Sequence, residues 1–248
     1  MMGRRLILVI AAAALIVTAM GMSMATKKRK YTAITYEIRA SGLVPKYPRT
    51  HDCSPLTSLY ASWLDVDGGR RDVRHSGVDG GRLGDRILAP AAATVIAVWT
   101  ADWGSGDEGA LLLEHSREDL NLTSGPPAYY SAFYHLKMAE LGRFSRGHRL
   151  ARGDLIGHVD RPGGDSSLLP EVHWEVYEVD TPSTLTWHKS TLDRPYWDNA
   201  GARLVDPLSL LALHNPPAGL EVLIQPFEAT QDYRSFRGFT YILPCVRR

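Results

Sequence analysis

Apolar residues in this chain come in short runs cut by Gly, Asp and Pro. Residues 87–88, 92–99 (AATVIAVW), 110–114 (ALLLE), 129–135 (YYSAFYH), 155–159 (LIGHV) and 172–179 (VHWEVYEV) each read as a strand. Runs of this length, rich in β-branched and aromatic residues and bounded by turn formers, predict an all-β domain built mainly of antiparallel sheet. In the last run, alternation puts Glu171, His173 and Glu175 on one face and Val172, Trp174 and Val176 on the other, which reads as core. In the 129–136 run, Tyr130, Ala132, Tyr134 and Leu136 alternate with Ser131, Phe133 and His135, which sets His135 across the sheet from Tyr134. Few helices are expected, all short. The best is 205–213 (VDPLSLLAL), with Asp206 as N-cap and Pro207 at the first helical position. Weaker patterns suggest a strand over 31–39 and edge strands over 218–225 and 239–243.

The N-terminus has a different pattern. Arg4 and Arg5 precede an apolar run from Leu6 to Ala25, with small residues at Ser23 and Ala25. That is the layout of a secretory signal peptide, and the run is also long enough to serve as an uncleaved membrane anchor. Lys27, Lys28, Arg29 and Lys30 follow, and positive charge there favours the cytoplasmic side. The expected organisation is a signal or anchor at 1–25, then a linker with a possible edge strand at 26–54. The main domain is expected at 55–213 and a C-terminal extension at 214–248. The expected location is exported: periplasm or cell envelope, with anchoring through 6–25 as one option.

Composition narrows the function. The 28 basic and 27 acidic residues leave a net charge of +1, which gives no reason to expect a nucleic-acid partner. The 22 Gly and 15 Pro suit a turn-rich β fold. Two cysteines, Cys53 and Cys245, either pair in an oxidising compartment or stay as thiols. They lie too far apart in sequence to form a cysteine zinc site.

The chemistry lies in the histidines. RHSGVDGG (74–81) carries His75 and Asp79, with Gly77, Gly80 and Gly81 permitting a tight bend that turns both side chains toward one point. Neutral imidazole and carboxylate both suit zinc. PEVHWEVY (170–177) puts His173 between two carboxylates on one strand face. His135 closes an aromatic strand. His51, His115, His148, His158, His188 and His214 are not expected to be ligands.

Taken together, these segments resemble the lysostaphin-type (LytM-domain) zinc metallopeptidases, over roughly residues 56–211. The family's His-x-Gly-x-Asp is matched by His75, Gly77 and Asp79. An Ala-Pro step follows at Ala89-Pro90, then a Val-Ile-Ala strand at 95–97 and a strand ending in His at LLLEHS, with His115. Tyr134-His135-Leu136, the turn Gly153-Asp154-Leu155-Ile156-Gly157, and Asp206-Pro207-Leu208 match the later elements. The resemblance implies a LytM-like β-sandwich and a Zn2+ ion held by His75, Asp79 and His173. It also implies that His135 is a non-ligand active-site histidine. The family's last motif is His-x-His, and here Glu171 replaces its first histidine. The implied activity is zinc-dependent endopeptidase cleavage of peptidoglycan peptides, with Glu171 taking the general-base role. The alternative is a catalytically impaired envelope protein that regulates a cell-wall amidase.

Overall fold

In antiparallel ladders, directly opposed residues share a face, so one row of partners can assemble a site from distant segments. The structure, a computed structural model, describes residues 38–100, 108–161, 169–180, 186–189, 195–198 and 202–248. The N-terminal apolar run and most of the strand expected at 31–39 lie outside these. No helix among the described residues is long and apolar enough to cross a membrane.

The chain runs through β1 (Val44–Lys46), β2 (His51–Cys53), β3 (Leu56–Ser58), β4 (Val78–Gly80) and β5 (Arg86–Leu88). The long strands follow: β6 (Ala93–Thr100), β7 (Glu108–Ser116) and β8 (Ala128–Lys137). After helix α1 (Met138–Leu141) come β9 (Arg149–Leu150), β10 (Leu155–His158) and β11 (Val172–Val179). The chain ends with β12 (Thr186–Lys189), β13 (Pro195–Asp198), β14 (Ala202–Val205), helix α2 (Pro207–Leu211), β15 (Glu221–Leu223) and β16 (Cys245–Arg247). The fold is all-β, as the runs predicted. The principal sheet has the antiparallel order β3-β4-β11-β8-β7-β6-β9, and β14 pairs with the far end of β11. The α2 start is as expected, with the Asp206 carboxylate accepting from Leu208 N–H at 2.9 Å.

One face of this sheet is core. Val78, Trp174, Phe133 and Leu111 form a row of partners across β4, β11, β8 and β7, and all four are buried. The Phe133 and Trp174 rings stack 6.0 Å apart. Phe239, from the C-terminal tail, packs 5.6 Å from the Trp174 ring and 4.8 Å from His115. Residues 239–243 are buried but do not form the edge strand their pattern suggested. Their amides bond one by one to Leu210, Pro90 and Gln225 carbonyls rather than to a single neighbouring strand. The rest of the tail is also tied in. β15 pairs with β1 in parallel, and β16 pairs with β2 so that Cys245 faces Cys53. These two cysteines are joined as a disulfide across 192 residues of sequence. Closing so long a loop contributes about 5 kcal/mol in the chain-entropy account.

His115 lies in this core rather than in a site. Its Nδ1–H donates to the Ala92 carbonyl at 2.8 Å, and its Nε2 accepts from the Ser131 hydroxyl at 3.0 Å. That pairing suits only the neutral ring. Burial pushes its pKa down to about 4, against a smaller upward pull from the Ala92 carbonyl. Between pH 6.5 and 4 the unfolded chain therefore binds a proton that the folded chain refuses. The contribution is complete above pH 6.5 and is lost as pH falls toward 4, a loss of about 3 kcal/mol. Urea midpoints of the wild type should drop across this window, and His115→Gln should flatten the drop. An undiminished slope in the variant would place the acid sensitivity elsewhere.

Candidate metal centre

The opposite face of the same sheet carries the candidate site. His173 on β11 is opposed by Asp79 on β4 on one side and by Tyr134 on β8 on the other. His75 comes from the loop just before β4. Its amide donates to the Ser62 carbonyl at 3.0 Å, and its own carbonyl accepts from Ala61 N–H at 2.8 Å. Between the two residues, Gly77 passes so close to β11 that an added Cβ would lie 2.3 Å from the Trp174 carbonyl oxygen. The middle glycine of His-x-Gly-x-Asp is thus required by close approach to β11.

Three donor atoms converge. His75 Nε2 lies 3.0 Å from Asp79 Oδ1 and 3.0 Å from His173 Nδ1, and His173 Nδ1 lies 2.7 Å from Asp79 Oδ1. Tetrahedral zinc, with N and O ligands near 2.0–2.2 Å, separates its ligands by roughly 3.3 Å, so these atoms need move apart only by roughly half an ångström or less. His75 and Asp79 are buried and His173 is nearly so, and the trio is a group able to hold a metal ion.

The outward atoms of all three are held. His75 Nδ1 lies 3.0 Å from the Leu59 carbonyl and 3.2 Å from Ser58 Oγ. A proton on Nδ1 suits the carbonyl and leaves the Nε2 lone pair facing inward. His173 Nε2 lies 3.2 Å from Glu175 Oε1 and 3.4 Å from Ser76 Oγ, and Glu175 in turn accepts from the Tyr177 hydroxyl at 2.6 Å. Asp79 Oδ2 accepts from Arg71 at 3.1 Å, and the same guanidinium reaches Asp65 at 2.9 Å. Buttressing of this kind orients metal ligands and fixes their tautomers.

Burial and mutual hydrogen bonds set the charges of the three donors. Burial pushes the His75 pKa below its ordinary value, and the Asp79 hydrogen bond only partly offsets this, so the ring is neutral. Burial works against a charged His173, but its hydrogen bonds and attraction to Asp79 and Glu175 win and lift it to about 10. For the same reason Asp79 is held well below the usual carboxylate range, although burial opposes this.

His135 is placed differently from the simple alternation. Gly109 opposes Leu136 and Leu111 opposes Phe133, so β8 has one residue more than β7 between these pairs, a β-bulge. His135 has φ of +61°, a left-handed conformation uncommon for a residue with a side chain. Beyond the bulge the alternation is reset. His135 comes to the His173 side, its ring centroid 6.4 Å from that of His173, and Tyr134 lies there too, at 5.6 Å. Its Nε2 is 3.9 Å from Glu171 Oε1. The structure thus brings all five residues singled out in the sequence to one side of the sheet. Arg71 and Glu108 were not singled out. Arg71 is one of several arginines in GGRRDVRH, with nothing local to distinguish it. Glu175 was legible, because it shares a strand face with His173.

No family model matches the chain, and no curated protein matches it. Solved structures do. A zinc-containing peptidase from Vibrio cholerae is similar at 21% identity over 64% of this chain, with a TM-score of 0.37. The chain spans only 39% of that protein's length. The catalytic domain of the antimicrobial peptidase lysostaphin from Staphylococcus simulans is similar at 16% identity over 64% of this chain and 90% of that one, with a TM-score of 0.35. Helicobacter pylori Csd3 is similar at 19% identity over 57% of this chain and 32% of that one, with a TM-score of 0.31. Identity is low and the overlap partial, so the chemistry stands on this chain's own side chains.

Proposed function

We propose that this chain is a zinc-dependent metalloendopeptidase that hydrolyses peptide bonds in cell-wall peptidoglycan, exported to the cell envelope by its N-terminal segment. The observation that carries this reading is the convergence of His75 Nε2, Asp79 Oδ1 and His173 Nδ1 within 2.7–3.0 Å of one another, each buttressed from behind. Three protein ligands of the N, N, O type are the donor set of catalytic rather than structural zinc. When bound, zinc supplies Lewis acidity that activates water at neutral pH and polarises a carbonyl.

The other steps belong to side chains. Glu171 Oε1 takes a proton from the attacking water as its oxygen bonds to the scissile carbonyl carbon. His135 Nε2 accepts a hydrogen bond from that water's other proton and so orients the attack. When the C–N bond breaks, Glu171 passes its proton to the leaving amine. Glu171 thus carries the role that histidine holds in the resembled family, and the 3.9 Å separation from His135 supports their acting on one water molecule. The preferred partner is a peptidoglycan peptide. The near balance of charge argues against nucleic acid.

Elemental analysis of the purified chain, followed by a muropeptide digest with and without chelator, tests the reading. One zinc per chain and chelator-sensitive cleavage are expected. A metal-free, fully folded chain would sink it. Zinc without any cleavage would favour the second reading, a regulator of a cell-wall amidase, whose support is the carboxylate at position 171. Affinity should also depend on pH. A proton on His173 must leave before Nδ1 can bind metal, so zinc affinity should rise about tenfold per pH unit toward pH 10. The sign follows from the raised pKa: the proton's stabilising contribution is full below pH 6.5 and fades as pH rises through 10. Titration calorimetry in buffers of different ionisation heat would count the released proton. A pH-independent affinity would contradict this.

A further inference from the structure

His135 is left-handed within its strand, and its ring is held by a side chain of the neighbouring strand β7. Glu108, the first residue of β7, is buried, and its Oε2 lies 2.9 Å from His135 Nδ1. Nδ1 and Nε2 thus face different carboxylates. Nδ1 is within hydrogen-bond reach of Glu108, whereas Nε2 and Glu171 Oε1 are 3.9 Å apart, too far for a hydrogen bond. A carboxylate can only accept, so the short contact requires the proton on Nδ1.

We propose that Glu108 is a positioning residue. By binding the Nδ1 proton it sets the tautomer of His135 and keeps Nε2 turned toward Glu171 and the ligand triangle. The inference rests on the reading of His135 as an active-site residue. An unassisted imidazole favours the proton on Nε2 and rotates freely about χ2, so without Glu108 the atom needed at the site is in the wrong state for much of the time. A carboxylate does more than a carbonyl would, because it also stabilises the imidazolium if Nε2 takes up a proton. The bulge and the carboxylate act together: the bulge chooses the face and Glu108 chooses the nitrogen.

The test uses the full chain loaded with zinc and 15N-labelled at histidine. Long-range 1H–15N spectra distinguish Nδ1-protonated from Nε2-protonated rings, and a His135→Gln spectrum identifies the His135 signals. The wild type should show His135 protonated at Nδ1. Glu108→Ala should move it to the Nε2 tautomer or a mixture. Glu108→Gln keeps the size and an acceptor oxygen, and should retain the Nδ1 form. If the chain cleaves muropeptides, Glu108→Ala should lower kcat roughly 10–100-fold with little change in KM, which is part of the 10²–10⁴ that acid–base groups supply. Glu108→Gln should recover part of this loss. A wild-type His135 protonated at Nε2, or a Glu108→Ala chain that still folds and keeps the Nδ1 form, would overturn the proposal. Should Glu108→Ala fail to fold, the wild-type and Glu108→Gln spectra still decide, since loss of the Nδ1 form in Glu108→Gln counts against it. Absence of cleavage with the tautomers as stated would sink the peptidase reading alone.

Discussion

Replacing His173 with alanine should reduce zinc affinity by more than about 100-fold, because loss of a second-shell partner alone costs 10–100-fold and His173 is a direct donor. The substitution removes one corner of the triangle, Nδ1 at 2.7 Å from Asp79 and 3.0 Å from His75. It also affects the metal-free protein. His173 stands between the buried carboxylates of Asp79 and Glu175, and breaking a buried ionic contact from one side typically costs about 3–5 kcal/mol. Arg71 still serves Asp79, and Tyr177 still serves Glu175, so the lower end is expected. Elemental analysis should find close to one zinc per wild-type chain and almost none in His173→Ala, with a lower melting temperature. Full zinc retention by a folded His173→Ala chain would remove His173 from the donor set and, with it, the proposed metal centre.

Replacing Glu171 with glutamine should separate binding from chemistry. The amide keeps the shape of the carboxylate but has no basicity. Glu171 lies two positions before His173 on the same strand face and is not one of the three converging donors. Zinc content should therefore stay near that of the wild type, while muropeptide cleavage falls by roughly 10²–10⁴, the range that a general base contributes. Liquid chromatography of digests at fixed enzyme, alongside metal analysis of the same sample, checks both halves. Wild-type turnover in Glu171→Gln would exclude it as the base and leave His135 as the remaining candidate for proton transfer. Loss of zinc together with activity would instead assign Glu171 to the ligand set.

Much of this site was legible in the sequence because period-two alternation is a local property. The pattern of 172–179 assigned Trp174 to the core and His173 to the open face, and the structure agrees. Asp206 and Pro207 start α2 as their residue types dictate. Each of these follows from the conformational preferences of a few consecutive residues.

What the chain could not reveal locally is whatever depends on register between strands. One extra residue on β8 opposite β7 moves His135 to the other face, because a one-residue shift in a pleated strand reverses every side chain beyond it. Glu108, Arg71 and Ser58 reach the site from segments whose local sequence says nothing about metal. The same holds for the tail. Phe239 packs on Trp174, and Cys245 faces Cys53 across 192 residues, so the C-terminal extension contributes to the core. Sequence periodicity determined which side chains share a face. Only the pairing of strands decided which faces meet, since hydrogen-bond register is a property of two chain segments and is written in neither one alone.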